Sequence, residues 1–156
     1  MIIQKPFSRG SIHINASDPF GDPVIDFRVY SNPLDIDQAI SYIKFTRRYI
    51  KTPTLAPLAP VETGPGTNVS DTDRAALEQW LHATSGPTSF HASGTAALAP
   101  RKLGGVVDPE LNVYGVKGLR IVDASIIPLI PSTHLSATTY AIAEKAADLI
   151  KGRRRG

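Results

Sequence analysis

At 156 residues, with 42% hydrophobic and 20% charged side chains, the chain is the size of one soluble globular domain with one core. It contains no cysteine, which excludes disulfides, thiolate metal sites and cysteine nucleophiles. The formal net charge of +3 is concentrated in Lys151 and Arg153 to Arg155, a basic run without interleaved aromatic residues, so we expect a solvated tail at 153–156 rather than a nucleic-acid partner.

The N-terminal part of the sequence predicts two strands followed by a helix. Residues 11–15 and 24–29 alternate in hydrophobicity, and a turn-rich Asp-Pro-Phe-Gly-Asp-Pro segment separates them. Asn32 directly before a proline is typical of a helix start. Isoleucines at helical spacing then extend the predicted helix over residues 34–51.

The middle of the sequence predicts an irregular excursion and a second helix. Residues 52–67 carry four prolines and two glycines, which favours an extended surface segment that we expect to border a substrate entrance. Ser70 or Asp71 is the expected cap of a helix through Trp80. The Ser-Gly-Pro sequence at 85–87 ends this helix.

The C-terminal part predicts two short strands and a final helix. Residues 111–113 and 119–122 are the predicted strands, with a Tyr-Gly turn after the first. The final helix begins near Ser136 and continues to Ile150, with Lys151 at its negative end. No apolar run approaches the roughly 20 residues of a membrane helix, and the N-terminus lacks the apolar stretch of a signal peptide. We therefore expect a soluble chain without a membrane partner, cytoplasmic by default.

Four histidines are candidates for chemistry, and their settings separate them into two pairs. His13 lies within a predicted strand and His82 near the end of a predicted helix, where a structural role is expected. His91 lies on a loop and is followed by small residues that leave space beside its ring. His134 directly precedes the final helix, whose positive end favours a neutral imidazole. We expect His91 and His134 to act together.

The residues around this pair occur in blocks that resemble the C-terminal domain of the glucose-methanol-choline (GMC) oxidoreductases. The blocks are His-x-x-Gly-Thr at 91–95, Val-Val-Asp-Pro at 106–109, Gly-Leu-Arg-Ile-Val-Asp-Ala-Ser at 118–125, and a proline loop with His134 before Ala-Glu-Lys-Ala-Ala-Asp. Ser-Arg-Gly at 8–10 resembles the family's entry segment. Aryl-alcohol oxidase-like members are the most similar because they share the second histidine, where choline-type members commonly have asparagine.

The resemblance implies an α+β fold in which an antiparallel sheet packs with a few helices, with a single domain at 1–152. It implies an FAD-dependent oxidation of an alcohol to an aldehyde or ketone. His91 would be the base that takes the hydroxyl proton while hydride passes to the flavin, and His134 would hold the substrate hydroxyl. A small-molecule substrate and a missing N-terminal FAD-binding half are the expected partners.

The same resemblance implies further site residues. Asp123 and Ala124 would approach the cofactor through backbone groups, and the helix start would face it with Leu135, Ser136, Ala137 and Thr138. Phe90, Tyr30 and Ile130 are expected substrate contacts. No metal ligand set is expected.

The sequence departs from the family pattern in two respects. Leu98 replaces a methionine often found after Gly-Thr, an apolar exchange of small expected effect. The glycine-rich strand-turn-helix that holds the flavin nucleotide is not found: the nearest candidate, residues 64–69, lacks the third glycine, contains a proline and follows no convincing strand. FAD is therefore not expected to stay bound to this chain alone.

Three interpretations fit a catalytic half without its nucleotide half. The chain is a portion of a complete flavoenzyme, or a stand-alone, cofactor-free enzyme that isomerises or cyclises a small substrate, such as a natural product, by acid-base and shape effects. The third interpretation is a non-catalytic remnant or binding module.

Overall fold

The computed structural model describes residues 2–152, so the basic tail predicted at 153–156 lies outside the described residues. The chain divides into two compact units after Pro87. Each unit has its own cluster of buried hydrophobic side chains, whereas the chain length suggested one core. The described residues contain three α-helices and a two-stranded antiparallel sheet, which confirms the predicted α+β class.

The sheet is a short ribbon in the first unit. Strand β1 (Ser11–His13) pairs antiparallel with β2 (Val24–Asp26), and Ile12 lies opposite Ile25. Both strands are shorter than predicted for local reasons. The carbonyl of Asn15 accepts a turn hydrogen bond from Asp18, and the backbone after β2 turns left-handed at Arg28, with φ of 46°.

Helix α1 (Pro33–Ile50) begins where the sequence predicts. The side chain of Asn32 accepts a hydrogen bond from the Leu34 amide at 3.0 Å, which satisfies one of the free donors at the helix start. The buried face of α1 packs against helix α2 (Arg74–Thr84). The core of this unit consists of Ile36, Ala39, Ile40, Leu77 and Leu81.

The predicted cap of α2 is wrong. Neither Ser70 nor Asp71 caps the helix, because Asp73 does so by accepting a hydrogen bond from the Ala76 amide at 3.0 Å. The Asp71 carboxylate is instead engaged by Arg47 of α1 at 2.5 Å. The ion pair with Arg47, which is distant in the sequence, thus makes Asp71 unavailable as the cap of α2.

The proline-rich excursion at 52–67 contains one regular turn that the sequence did not predict, a 3₁₀ turn at Ala56–Leu58. The part of the excursion that follows this turn is attached to α1 through Arg47, which is only 8% exposed. The Arg47 guanidinium donates to both oxygens of the Glu62 carboxylate and to the carbonyl of Gly66. Hydrogen bonds to Glu62 and then to Asp71 raise the pKa of Arg47, so this anchor stays charged.

The second unit, which begins at Thr88, contains helix α3 (Ser136–Ile150), as predicted. The strands predicted at 111–113 and 119–122 are wrong, because only isolated bridges form there, such as Asn112 with Arg120. The buried cluster of this unit contains Val107, Leu111, Ile126 and Ala146, and Ala146 places α3 against it. Within residues 2–152, no helix is both long and apolar enough to cross a membrane.

Candidate active site

His91 lies on a loop whose first half is held by a local turn. The His91 amide donates to Oγ1 of Thr88 at 3.1 Å. Between them, Phe90 has a left-handed backbone with φ of 61°. The sequence analysis did not identify Thr88, although a threonine three residues before the histidine is a recognisable signal for such a turn.

The second half of the loop is fastened to residues 124–126. Three backbone hydrogen bonds join the two segments. The Gly94 amide donates to the Ala124 carbonyl at 3.4 Å, the Ala96 amide donates to the Ser125 carbonyl at 2.9 Å, and the Leu98 amide donates to the Ile126 carbonyl at 2.8 Å. Gly94 has φ of 86°, and a Cβ at this position would lie 3.0 Å from the Ile127 carbonyl oxygen. Glycine therefore permits both the backbone conformation and the close approach of the two segments.

His134 is presented at the beginning of α3. The next residue, Leu135, is 4% exposed and forms the N-cap position of the helix. Thr139 returns two hydrogen bonds to the Leu135 carbonyl, from its amide at 2.8 Å and from its hydroxyl at 2.9 Å. A buried leucine and a regular first turn thus fix the backbone that carries the His134 ring.

The structure brings the two predicted histidines into direct contact. Nε2 of His91 lies 2.6 Å from Nδ1 of His134, although 43 residues separate them in the chain. The ring centroids are 4.9 Å apart and the ring planes are inclined by 66°. This distance is that of a short hydrogen bond between the two imidazoles.

A hydrogen bond between two imidazoles constrains their protonation. One of the facing nitrogens must carry a proton and the other must present a lone pair, so the accepting ring is neutral at that nitrogen. Protonation of both facing nitrogens replaces the hydrogen bond with two opposed donors. The two facing nitrogens therefore share a single proton while the contact is intact.

The predicted cofactor residues at the start of α3 have open backbone donors. Leu135 provides no side-chain cap, and the first turn contains no acidic residue. Ser136 and Ala137 are exposed, and Thr138 is half-buried. The first-turn amides and the positive end of the helix dipole can therefore interact with an anionic or carbonyl group from outside the chain.

Asp123 and Ala124 belong to a tight turn rather than to a strand. Oδ1 of Asp123 accepts the Ser125 amide at 2.7 Å, and the Asp123 carbonyl accepts the Ile126 amide at 3.3 Å. The Ala124 carbonyl accepts from Gly94 and from Ile127. The Asp123 side chain is thus used within the turn, and the turn is linked directly to the loop that carries His91.

The three predicted substrate contacts have different settings. Phe90 is 97% exposed, and Ile130 is half-buried on the loop that leads to His134. The neighbouring Leu129, which the sequence analysis did not single out, is 78% exposed. Tyr30 lies in the first unit, where its hydroxyl is 2.7 Å from the Ser85 hydroxyl.

The other two histidines lie in the first unit and take no part in this contact. His13 lies on the exposed ribbon. His82 packs against the ring of Tyr30 in an edge-on contact, with centroids 5.4 Å apart. Among residues 2–152, no cluster of three or more histidine or acidic side chains is arranged to hold a metal ion.

The chain matches a known protein family over most of its length. A family model described as GMC oxidoreductase matches residues 6–143. The chain belongs to the GMC oxidoreductase family. This confirms the resemblance in the sequence blocks around the two histidines.

Individual GMC family members match nearly the whole chain. A dehydrogenase of Armillaria gallica is 44% identical over 149 residues, which are 94% of this chain and 22% of the relative. A fungal aryl-alcohol oxidase structure is 46% identical with a TM-score of 0.87, and the match covers 94% of this chain and 24% of that one. An FAD-dependent oxidoreductase structure from Chaetomium thermophilum is 36% identical, also with a TM-score of 0.87, over 96% of this chain and 25% of that one. The chain thus spans about a quarter of the length of these relatives.

Proposed function

We propose that this chain is the catalytic and substrate-binding part of an FAD-dependent alcohol oxidase or dehydrogenase, which converts an alcohol to an aldehyde or ketone. The single observation that carries the proposal is the 2.6 Å contact between His91 Nε2 and His134 Nδ1. Family membership supports the oxidoreductase class. The fungal aryl-alcohol oxidase with a similar structure supports an alcohol as the substrate.

In this proposal His91 is the general base, and its ring accepts the proton of the substrate hydroxyl. Removing this proton makes the adjacent carbon a stronger hydride donor. His134 holds the hydroxyl oxygen by a hydrogen bond, so that the carbon keeps one orientation. Positioning of this kind accounts for a large share of the rate in two-component reactions.

The short contact between the rings also bears on how the alcohol enters. An oxygen that bonds both facing nitrogens needs about 2.8 Å to each of them. Nitrogens only 2.6 Å apart leave no room for it between them. The incoming alcohol therefore displaces the hydrogen bond between the imidazoles, and the rings separate to admit it.

The residues at the start of α3 fit a flavin, because the uncapped first turn offers donors to a carbonyl or anionic edge. Leu135, Ser136, Ala137 and Thr138 would hold that edge, and backbone groups of Asp123 and Ala124 would approach the same group. Bound FAD would supply the hydride acceptor. The chain's own contribution is to hold the alcohol and remove its proton.

Phe90 and Ile130 are proposed to contact the substrate body, since both lie close in sequence to a histidine of the pair and Phe90 is fully accessible. Leu129 extends this apolar group. Tyr30 is kept as a proposed contact, although its hydroxyl is already used by Ser85. Such apolar side chains favour the carbon skeleton of an alcohol over a highly polar substrate.

A second candidate is a cofactor-free enzyme that isomerises or cyclises a small molecule. The observation in its favour is that both imidazoles, and the contact between them, lie within the second unit. Proton transfer between two positions of a substrate needs an acid and a base but no hydride acceptor. The same His91 and His134 would then serve as that acid and base.

A visible absorption spectrum separates the two candidates. Because this chain alone is not expected to retain FAD, it is examined both alone and together with the FAD-binding portion of a GMC oxidoreductase, and a set of primary aryl and aliphatic alcohols is then added without oxygen. Under the first proposal the combined protein shows bound flavin, which an alcohol bleaches. The control alcohol is the matching methyl ether, which has no hydroxyl proton to give.

The outcomes decide between the two proposals. Bound flavin that the alcohol bleaches and the ether leaves oxidised supports the alcohol-oxidising function. A colourless protein that converts a substrate supports the cofactor-free candidate. Bound flavin that no alcohol bleaches contradicts the alcohol substrate, and a colourless protein without turnover contradicts both proposals.

A further inference from the structure

Phe90 combines two unusual features. Its backbone has φ of 61°, a left-handed conformation that a bulky residue other than glycine rarely adopts. The residue is 97% exposed, so packing of its own side chain against the described residues does not offset the strain. Backbone strain of this kind persists only where the surrounding chain imposes it, and it is found most often at functional sites.

The position of Phe90 indicates which geometry it holds. The loop beyond His91 is fixed by the hydrogen bonds of Gly94, Ala96 and Leu98 to residues 124–126. On the other side, the described contact of the His91 backbone is the hydrogen bond to Thr88. Phe90 lies inside that turn, and the chain bends there. Its backbone conformation therefore sets the direction in which the His91 ring leaves the chain.

We propose that Phe90 is a positioning residue, whose left-handed backbone holds the His91 imidazole against His134. The role belongs to the backbone conformation and is separate from any contact of the ring with a substrate. A residue that cannot adopt a positive φ should straighten the turn and withdraw Nε2 of His91 from Nδ1 of His134. This inference rests on the imidazole pair of the proposed function.

A substitution series at Phe90 separates the effect of the backbone conformation from the effect of the aromatic ring. Phe90→Gly and Phe90→Asn remove the ring but tolerate a positive φ, because glycine has no Cβ and asparagine visits this region readily. Phe90→Ala removes the ring and keeps the strain. Phe90→Val adds branching at Cβ, which makes the left-handed conformation least accessible.

The readout is nuclear magnetic resonance of the imidazole nitrogens in the ¹⁵N-histidine-labelled chain. A scalar coupling between Nε2 of His91 and Nδ1 of His134 reports the hydrogen bond directly and needs neither flavin nor turnover. The matched control is Phe20, which is 102% exposed and lies in the first unit. Phe20→Gly and Phe20→Val repeat the same exchanges at a fully exposed aromatic residue outside the site.

We expect the fraction of molecules that keep the hydrogen bond between the two imidazoles to be highest in the Gly and Asn variants, lower in the Ala variant and lowest in the Val variant. The Val variant should fall at least about fivefold below the Gly variant, as the usual cost of a left-handed backbone implies. Both Phe20 variants should match the parent protein. Equal coupling in the Gly, Ala and Val variants would overturn the proposal, and so would loss of coupling in the Gly and Asn variants. If Phe90→Val does not fold, the comparison of Gly with Ala decides.

The outcome is independent of the test of the proposed function. Loss of coupling along the predicted order with no alcohol oxidation would support the positioning role and reject the oxidase. Alcohol oxidation with an unchanged coupling in every variant would support the oxidase and reject the positioning role.

Discussion

The Asp35 carboxylate at the start of α1 accepts two hydrogen bonds from Ser8, one from its amide at 2.7 Å and one from its hydroxyl at 2.5 Å. The Phe7 amide donates to the other carboxylate oxygen at 2.8 Å. Asp35 is 2% exposed, so these bonds are its main compensation for burial. The entry segment at 8–10, which was recognised by resemblance, is thereby anchored to the first long helix.

Stability in acid should depend on Asp35. Burial raises the pKa of this carboxyl, but the Ser8 hydroxyl and the Phe7 and Ser8 amides outweigh it and hold the pKa below its ordinary value of 3.8. The lowered pKa contributes stability that is fully present at pH values above the ordinary pKa of 3.8. This stability is lost as the pH falls through the lowered pKa of the folded protein. Asp35→Asn should cost about 1 to 3 kcal/mol at neutral pH and flatten this acid dependence.

Urea unfolding at several pH values tests this, followed through Trp80, the single tryptophan of the chain, which packs against the core of the same unit. Asp22→Asn, at an exposed position, is the control and should leave the curve unchanged. An acid dependence in Asp35→Asn equal to that of the parent protein would show that Asp35 is not its source.

Arg47 should be the most sensitive charged residue of the first unit. Arg47→Met leaves Glu62 and Asp71 without their partner, and breaking a buried ion pair from one side costs about 3 to 5 kcal/mol, reduced here because Asp71 is half-exposed. Exchanging both partners, as in Arg47→Met with Glu62→Leu, should recover part of the loss.

Arg74 provides the matched control, since it also contacts two carboxylates but is exposed. Arg74→Met should destabilise the protein much less than Arg47→Met in the same urea experiment, because exposed ion pairs contribute little. Protease cleavage within 52–67 should accelerate in the Arg47 variant alone. Equal effects of the two arginine variants would refute the view that Arg47 anchors the excursion.

Gly94 should control the link between the His91 loop and residues 124–126. Gly94→Ala introduces a left-handed alanine, at about 1 to 2 kcal/mol, and also a Cβ only 3.0 Å from the Ile127 carbonyl oxygen. The amides of Ala96 and Leu98 should then exchange hydrogen faster, because their hydrogen bonds to this segment weaken.

Gly118 isolates the backbone effect, because it has φ of 75° and an added Cβ would meet no described atom within 4 Å. Gly118→Ala should carry the same backbone cost without changing exchange at Ala96 and Leu98. Hydrogen exchange that responds equally to both variants would mean that the contact with Ile127 is unimportant.

His134 should act through a hydrogen bond to the alcohol. His134→Asn keeps a donor and an acceptor near this position, whereas His134→Leu keeps neither. We expect the leucine variant to lose roughly 5- to 30-fold more kcat/KM than the asparagine variant, which corresponds to about 1 to 2 kcal/mol. Steady-state kinetics of the flavin-loaded protein measures this difference, and equal losses in the two variants would exclude the hydrogen-bonding role.

The local features of the fold were predictable from the sequence. Asn32 and the following proline mark the start of α1, because capping depends on adjacent residues alone. The cap of α2 was missed because Asp71 is taken by Arg47, a partner distant in sequence. The strands expected at 111–113 and 119–122 failed because turns bring these segments together at single bridges only.

The site was predictable in its residue types but not in its geometry. Motif resemblance indicated His91 and His134, yet nothing in the spacing of these residues could give a 2.6 Å contact between particular nitrogens. The left-handed conformation of Phe90 was also hidden, since phenylalanine is among the residues least expected there. These features depend on how the two loops are fastened, which only the folded chain determines.

The proposed role of His91 in proton removal is tested most directly by the rate of alcohol oxidation in four single variants, with alanine at His91, His134, His13 or His82. Loss of a general base lowers the rate about 10²- to 10⁴-fold, so we predict that decrease for His91→Ala in folded, flavin-loaded protein. His13→Ala and His82→Ala should stay at the parent rate. A His91→Ala protein that binds flavin and oxidises the alcohol at nearly the parent rate would contradict this role.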